Sequence, residues 1–177
     1  MFLYLAMIDS DADKSKFEIL YSEYKNLMYY TANRILRNSS DAEDVVHQAF
    51  LKVIEILDTI SSPRCHKTRA LLVTITEHKA IDLYREKQRR NVLPLAEEYI
   101  GAAPAAEIER LAERDTLAAA IAFLPPRYRS VLLLRYDCGY SNAEIANILD
   151  TTEPNVRKLI QRAKEKLSAA LSGMEEP

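Results

Sequence analysis

From Phe17 onward, apolar side chains recur at steps of three and four residues: Phe17, Leu20, Tyr21, Tyr24, Leu27, Met28, Thr31 and Ile35. That spacing lays a single stripe along a helix, the stripe that packs inward. Asn38, Ser39 and Ser40 interrupt it, and Ser40 with Glu43 three residues later predicts a capping box that opens a second helix. The apolar stripe of this helix is Ala42, Val45, Val46, Ala49, Phe50, Val53, Ile54 and Leu57. Asp41, Asp44 and Gln48 fall on a different face, with Glu43 and Lys52 beside them. Ser61, Ser62 and Pro63 mark a loop, because proline restricts the residue before it and serine hydroxyls compete for backbone hydrogen bonds. A third helix is predicted from about Lys67 to Arg90. It begins apolar (Ala70, Leu71, Leu72, Val73, Ile75) and ends in Arg85, Lys87, Arg89 and Arg90.

Between Asn91 and Ala106 the periodicity fails, and Pro94, Gly101 and Pro104 punctuate a run of alanines with Glu97 and Glu98. This composition predicts an acidic, flexible linker. Beyond it, Ile108 to Phe123 has helical spacing, and Leu124-Pro125-Pro126 stops it. Another helix is predicted from about Arg127 to Asp137 with Gly139 as its C-terminal cap, and a further one opens at Ser141 with a capping box through Glu144. The expected fold is therefore all-α: two small helical domains, 10–90 and 107–177, joined by the linker 91–106.

Composition supports this and narrows the chemistry. Only 3 of the 177 residues are glycine, and the abundant Ala, Leu, Ile, Glu, Lys and Arg favour helix over strand. A formal net charge of −2 excludes a uniformly basic nucleic-acid coat, so any such contact must rest on local patches. One patch is the stretch from Arg64 to Arg90, whose only acids are Glu77, Asp82 and Glu86. The 2 cysteines, Cys65 and Cys138, lie far apart without metal-ligand spacing, which argues for a reducing, cytoplasmic setting and against a disulfide framework or a zinc site. Met1 to Ile8 is apolar but far shorter than the roughly 20 residues a membrane span needs, and it is read as neither signal nor anchor. Met7 is a second possible start. His47, His66 and His78 have no partner at a catalytic or metal spacing, and no glycine-rich phosphate loop occurs. The expectation is no enzyme, no cofactor and no metal.

Ser141 to Leu149 is a helix of about two turns, followed by the polar turn Asp150-Thr151-Thr152 and a longer helix. Short helix, tight turn and longer helix is the helix-turn-helix template. In the longer helix Val156, Leu159, Ile160, Ala163 and Leu167 share a face, so Pro154, Lys158, Gln161 and Glu165 point the other way, flanked by Asn155, Arg157 and Arg162. Such a division suits a recognition helix, with Lys158 and Gln161 at base edges and Arg157 and Arg162 on phosphates. Periodicity alone leaves a helical hairpin with solvated charges equally open.

The wording of the sequence goes further. Leu124-Pro125-Pro126-Arg127-Tyr128-Arg129, Val131-Leu132-Leu133-Leu134-Arg135-Tyr136 and Gly139-Tyr140-Ser141-Asn142-Ala143-Glu144-Ile145-Ala146 resemble the promoter-binding domain of extracytoplasmic-function sigma factors of bacterial RNA polymerase. The likeness continues through Val156-Arg157 and Arg162 to Leu167. Independently, Asp41 to Phe50 resembles the helix with which that family grips the polymerase clamp, and Ala80 to Arg85 the helix that handles the minus-10 promoter element. There are departures: Asp150 stands where the family usually has glycine, Glu77-His78 where it often has Arg-Asn, and a common aromatic is replaced near Leu71.

The resemblance implies that Asp41, Asp44 and Gln48, with Glu43, meet core RNA polymerase. It implies that His78, Asp82, Arg85 and Arg89 handle minus-10 DNA, and that Asn155, Arg157, Lys158, Gln161 and Arg162 serve the minus-35 element. The implied partners are core polymerase, promoter DNA and an anti-sigma protein, with polymerase supplying the chemistry. A helix-turn-helix repressor explains the C-terminal half but not the acidic face of the second helix. A helical adaptor that binds only protein leaves both basic patches as solvated surface.

Overall fold

The computed structural model describes residues 2–90 and 116–175. The expected linker 91–106, and the start of the helix expected from Ile108, lie outside the described residues. Backbone contacts divide the chain into two units, Met1–Pro94 and Leu95–Pro177. Both are helical, and no strand occurs among the described residues.

The first unit comprises α1 (Phe2–Leu5), α2 (Asp11–Leu36), α3 (Ser39–Glu55), a 3-10 turn (Leu57–Thr59) and α4 (His66–Arg90). The three long helices pack pairwise on one another. Their shared core holds Phe17, Leu20, Met28, Val45, Phe50 and Leu72, all with no exposed surface. Ser10 caps α2 by accepting the Asp13 N–H, and Arg37 ends it in a left-handed conformation (φ 51°), donating its N–H to the Asn33 carbonyl.

The cap of α3 differs from expectation. Asn38, not Ser40, is the N-cap: its extended backbone lets the side-chain oxygen accept the Asp41 N–H at 3.0 Å, so the helix starts earlier and both serines fall in its first turn. Lys52 also departs. It is 5% exposed rather than on the polar face, its stem covered and its ammonium paired with Glu55 at 2.9 Å.

The N-terminal segment, expected to be neither signal nor anchor, is built into this unit. Tyr4 and Ile8 are buried, and the Tyr4 ring lies 5.3 to 5.9 Å from the rings of Phe17, Tyr21, His47 and Phe50.

The second unit contains α5 (Thr116–Phe123), α6 (Pro126–Leu132), a π turn (Leu133–Asp137), α7 (Asn142–Ile148) and α8 (Glu153–Glu175). Proline at its first position starts α6, where the lost N–H has no helical partner in any case. The helix expected to run regularly to Asp137 instead widens after Leu132, and the Cys138 N–H reaches back five residues to the Leu133 carbonyl. That extra residue in the turn keeps Leu134 fully buried while Arg135, Tyr136 and Asp137 stay outside. Helices α5, α6 and α7 all pack on α8. No described helix is long and apolar enough to cross a membrane.

Candidate nucleic-acid and protein interfaces

Helix α3 buries Ala42, Val45, Val46, Ala49, Phe50 and Val53, which turns Glu43, Asp44, His47 and Gln48 outward. Glu43, Asp44 and Gln48 make no side-chain hydrogen bond or ion pair with any described residue. Asp41 is different. Both of its carboxylate oxygens contact the Lys87 ammonium of α4, and its side chain is only 18% exposed. The four acids and amides grouped by sequence thus separate into an unpaired trio and one residue tied to another helix.

On α4, His78, Asp82, Arg85 and Arg89 lie at helical spacing. Asp82 and Arg89 are exposed, whereas His78 and Arg85 are half-buried. The His78 Nε2, Arg85 Nε and Gln88 Oε1 atoms are shielded from solvent and have no hydrogen-bond partner among the described residues. Burial, with the Arg85 charge beside it, pushes the His78 pKa down to about 4, so its imidazole is neutral at neutral pH. Glu77, where the resemblance has Arg, is buried and reaches Arg34 of α2 at 3.5 Å. A buried carboxylate needs such a partner, and α2 supplies it.

The loop preceding α4 is pinned from two sides. Tyr24 donates to the Pro63 carbonyl, Thr68 to the Ser62 carbonyl, and Arg64 pairs with Glu23. Cys65 stands where α4 starts and accepts the Thr68 N–H through sulfur; that contact and the Thr68 hydroxyl hold its thiol pKa below the usual range.

In the second unit the Ser141–Glu144 capping box forms as expected. The Glu144 N–H donates to the Ser141 hydroxyl and the Ser141 N–H to the Glu144 carboxylate at 2.7 Å. Those two bonds hold the Glu144 carboxyl below the usual carboxylate range. Asp150 takes the left-handed conformation (φ 49°) that the glycine of the resembled family would take, and α8 begins three residues on.

Helix α8 buries Val156 and Ala163 completely and leaves Asn155, Arg157, Lys158, Gln161 and Arg162 exposed. Asn155 is steadied by Thr151, Arg157 by Glu153 and Gln161 by Glu165. Lys158 and Arg162 have no partner among the described residues. The exposed face therefore carries amide donors and acceptors together with cations, the combination that reads base edges and holds phosphates. Among the described residues no cluster of His, Cys, Asp or Glu is placed to hold a metal ion.

Three groups outside the sequence-predicted set bear on these faces. Tyr4 hydrogen-bonds His47 at 2.6 Å, Lys87 holds Asp41, and Gln88 bonds the Tyr84 hydroxyl. The i, i+4 spacing of Tyr4 and Ile8 was the only sequence signal for the first. The other two arise from tertiary packing or a single helical turn within a charged stretch.

Comparison with known proteins matches residues 20–90 to Sigma-70 region 2 and residues 114–167 to Sigma-70 region 4. The chain is 27% identical to the ECF RNA polymerase sigma factor SigW of Bacillus subtilis, over 90% of each chain. It is 26% identical to the ECF RNA polymerase sigma factor SigL of Mycobacterium tuberculosis, over 90% of this chain and 91% of that one. A solved structure of CnrH in complex with the cytosolic domain of CnrY is similar at 28% identity and a TM-score of 0.38, covering 89% of this chain and 88% of that one.

Proposed function

The chain belongs to the extracytoplasmic-function group of the sigma-70 family and acts as a promoter-recognising sigma factor of RNA polymerase, and we propose that it divides this work among three of its surfaces. Glu43, Asp44 and Gln48 on α3 contact the clamp of core polymerase, with Asp41 as a supporting residue. The α4 stripe of His78, Asp82, Arg85 and Arg89 engages the minus-10 element and the opened strand. Asn155, Arg157, Lys158, Gln161 and Arg162 on α8 engage the minus-35 element, Lys158 and Gln161 at bases, Arg157 and Arg162 at phosphates. The working domains are 10–90 and 107–177, with 91–106 between them. The protein works in the cytoplasm and is no enzyme itself.

The observation that carries this reading is the set of polar groups left without partners. Glu43, Asp44, Gln48, Lys158 and Arg162 are all exposed and unpaired among the described residues. Shielded His78, Arg85 and Gln88 atoms likewise lack hydrogen-bond partners among the described residues, and a buried polar atom in that state costs about 1–3 kcal/mol. An antagonist protein that covers such faces belongs to the proposal.

The test is reconstitution of purified protein with core polymerase on a promoter-containing template. Specific transcript is expected, and it should vanish with Asp44→Ala/Gln48→Ala. Specific DNA binding without polymerase, and no transcript, would favour the repressor reading instead.

A further inference from the structure

Lys164 of α8 is a cation outside the set assigned to DNA. It follows Arg157 by seven residues, so it lies on the same flank of the recognition helix, about 10 Å farther along the axis. It is exposed and makes no hydrogen bond or ion pair with any described residue. The residues three and four positions away are Ile160, Gln161, Leu167 and Ser168, so no acid stands where a lysine on a solvated helix face would find one.

What holds Lys164 is a ring from another element. Its ammonium lies 5.3 Å from the centroid of the Tyr136 ring. Tyr136 is 59% exposed and its hydroxyl makes no hydrogen bond with any described residue, so neither burial nor its polar end accounts for the ring. It stands in the π turn, where Arg135, Tyr136 and Asp137 face outward in succession. The Cys138 N–H closes that turn on the Leu133 carbonyl and the Tyr140 N–H on the Leu134 carbonyl, while the Arg135 guanidinium donates to the Tyr140 carbonyl. Turns of this kind interrupt helices frequently at functional positions. A second pair, Lys166 over Tyr128 at 5.8 Å, uses a buried ring, and packing accounts for it.

We propose that Tyr136 is a positioning residue for DNA binding: its ring holds the Lys164 ammonium ready to take one phosphate of the promoter backbone beside those met by Arg157 and Arg162. An ammonium carries three donors, so it can keep the ring on one side and offer an N–H to a phosphate on another. Holding the long stem before DNA arrives removes part of the rotamer entropy that binding otherwise costs. The assignment rests on the reading of α8 as the minus-35 helix.

The test binds full-length protein, assembled with core polymerase, to a labelled promoter fragment over a series of potassium chloride concentrations. Lys164→Ala should weaken binding on every upstream sequence alike and lower the slope of log affinity against log salt by about 0.9, the share of one phosphate. Tyr136→Leu should weaken binding about two- to fivefold, the span of a cation over an exposed ring, and Tyr136→Phe should bind like the unaltered protein. Neither Tyr136 change alters charge, and an exposed side chain has little weight in folding, so their difference reports the ring alone. Added to Lys164→Ala, Tyr136→Leu should cost nothing more, because the group it positions is gone.

Arg162→Ala serves as the reference. The proposal is overturned, and α8 remains the DNA-reading helix, if the reference weakens binding while Lys164→Ala leaves affinity and slope unchanged. It is equally overturned if Tyr136→Leu binds like the parent, loses no more than Tyr136→Phe, or adds its full loss to that of Lys164→Ala. If neither Arg162→Ala nor Lys164→Ala changes binding, both readings fall. Loss with Lys164→Ala and Tyr136→Leu but not with Arg162→Ala supports the proposal and moves the phosphate contact from Arg162 to Lys164.

Discussion

His78 offers a direct physical check on the first unit. Its Nε2 is shielded without a partner and Arg85 lies close enough to oppose a second charge, so the folded chain holds the imidazole neutral down to about pH 4. Because the folded pKa is lower than the ordinary 6.5, protonation favours the unfolded chain, and stability is lost as pH falls from about 6.5 to about 4, with no further loss from this group below that. The full effect amounts to about 3 kcal/mol by proton linkage, and about 2 kcal/mol of it falls between pH 7 and pH 5. This is an upper bound, since part of the residue meets water. The whole stability of a domain is commonly only about 5–15 kcal/mol. The chain has 3 histidines, so a proton NMR titration gives three resolvable imidazole signals. Urea unfolding at pH 7 and pH 5, for the unaltered protein and His78→Asn, isolates the contribution of this residue as the difference between the two slopes. A His78 signal titrating near 6.5, or a variant whose pH slope matches the parent, would refute the reasoning.

Phe50→Ala should destabilise the first unit by about 3–5 kcal/mol, because the ring has no exposed surface and sits among Tyr4, Phe17 and Tyr21; chemical unfolding measures it. Ser141→Ala should cost about 1 kcal/mol in the second unit. Since the Ser141 contacts hold the Glu144 carboxyl low, the parent's advantage over this variant should be full above the ordinary carboxylate range and shrink on acidification. Lys158→Ala or Gln161→Ala should relax sequence preference at single positions of the upstream element for about 1–3 kcal/mol, whereas Arg162→Ala should weaken all sequences alike, as a panel of mutated templates would reveal. Asp41→Ala should cost less polymerase affinity than Asp44→Ala, because Asp41 is already held by Lys87; equal losses would count against the division made here.

Helical periodicity was enough to divide α3 and α8 into inner and outer faces, because a residue's face in a long amphipathic helix follows from its position alone. Val45, Phe50, Val156 and Ala163 are buried where the spacing puts them. The capping box at Ser141 was equally legible, being a local four-residue device. Asn38-Ser39-Ser40 was not, since three adjacent residues can all cap a helix and only the backbone angles select one. Lys52, Asp41 and Glu77 escaped for another reason: their environments depend on side-chain reach or on groups more than forty residues away, such as Lys87 and Arg34. The π turn at Leu133 leaves no mark in composition, because a backbone hydrogen bond reaching back five residues instead of four is all that separates it from a regular helix.

The Asp41–Lys87 contact makes the two sides of the first unit thermodynamically reciprocal. Asp41 belongs to the helix that carries the acidic face, and Lys87 to the basic end of α4. Any ligand that draws the carboxylate away leaves the ammonium available, and any phosphate that captures the ammonium frees the carboxylate, so each event must favour the other by the same factor. A pair at the surface, its ammonium half-exposed, is worth about 0–1 kcal/mol, which limits this cooperativity to about fivefold and makes it fade as salt is raised.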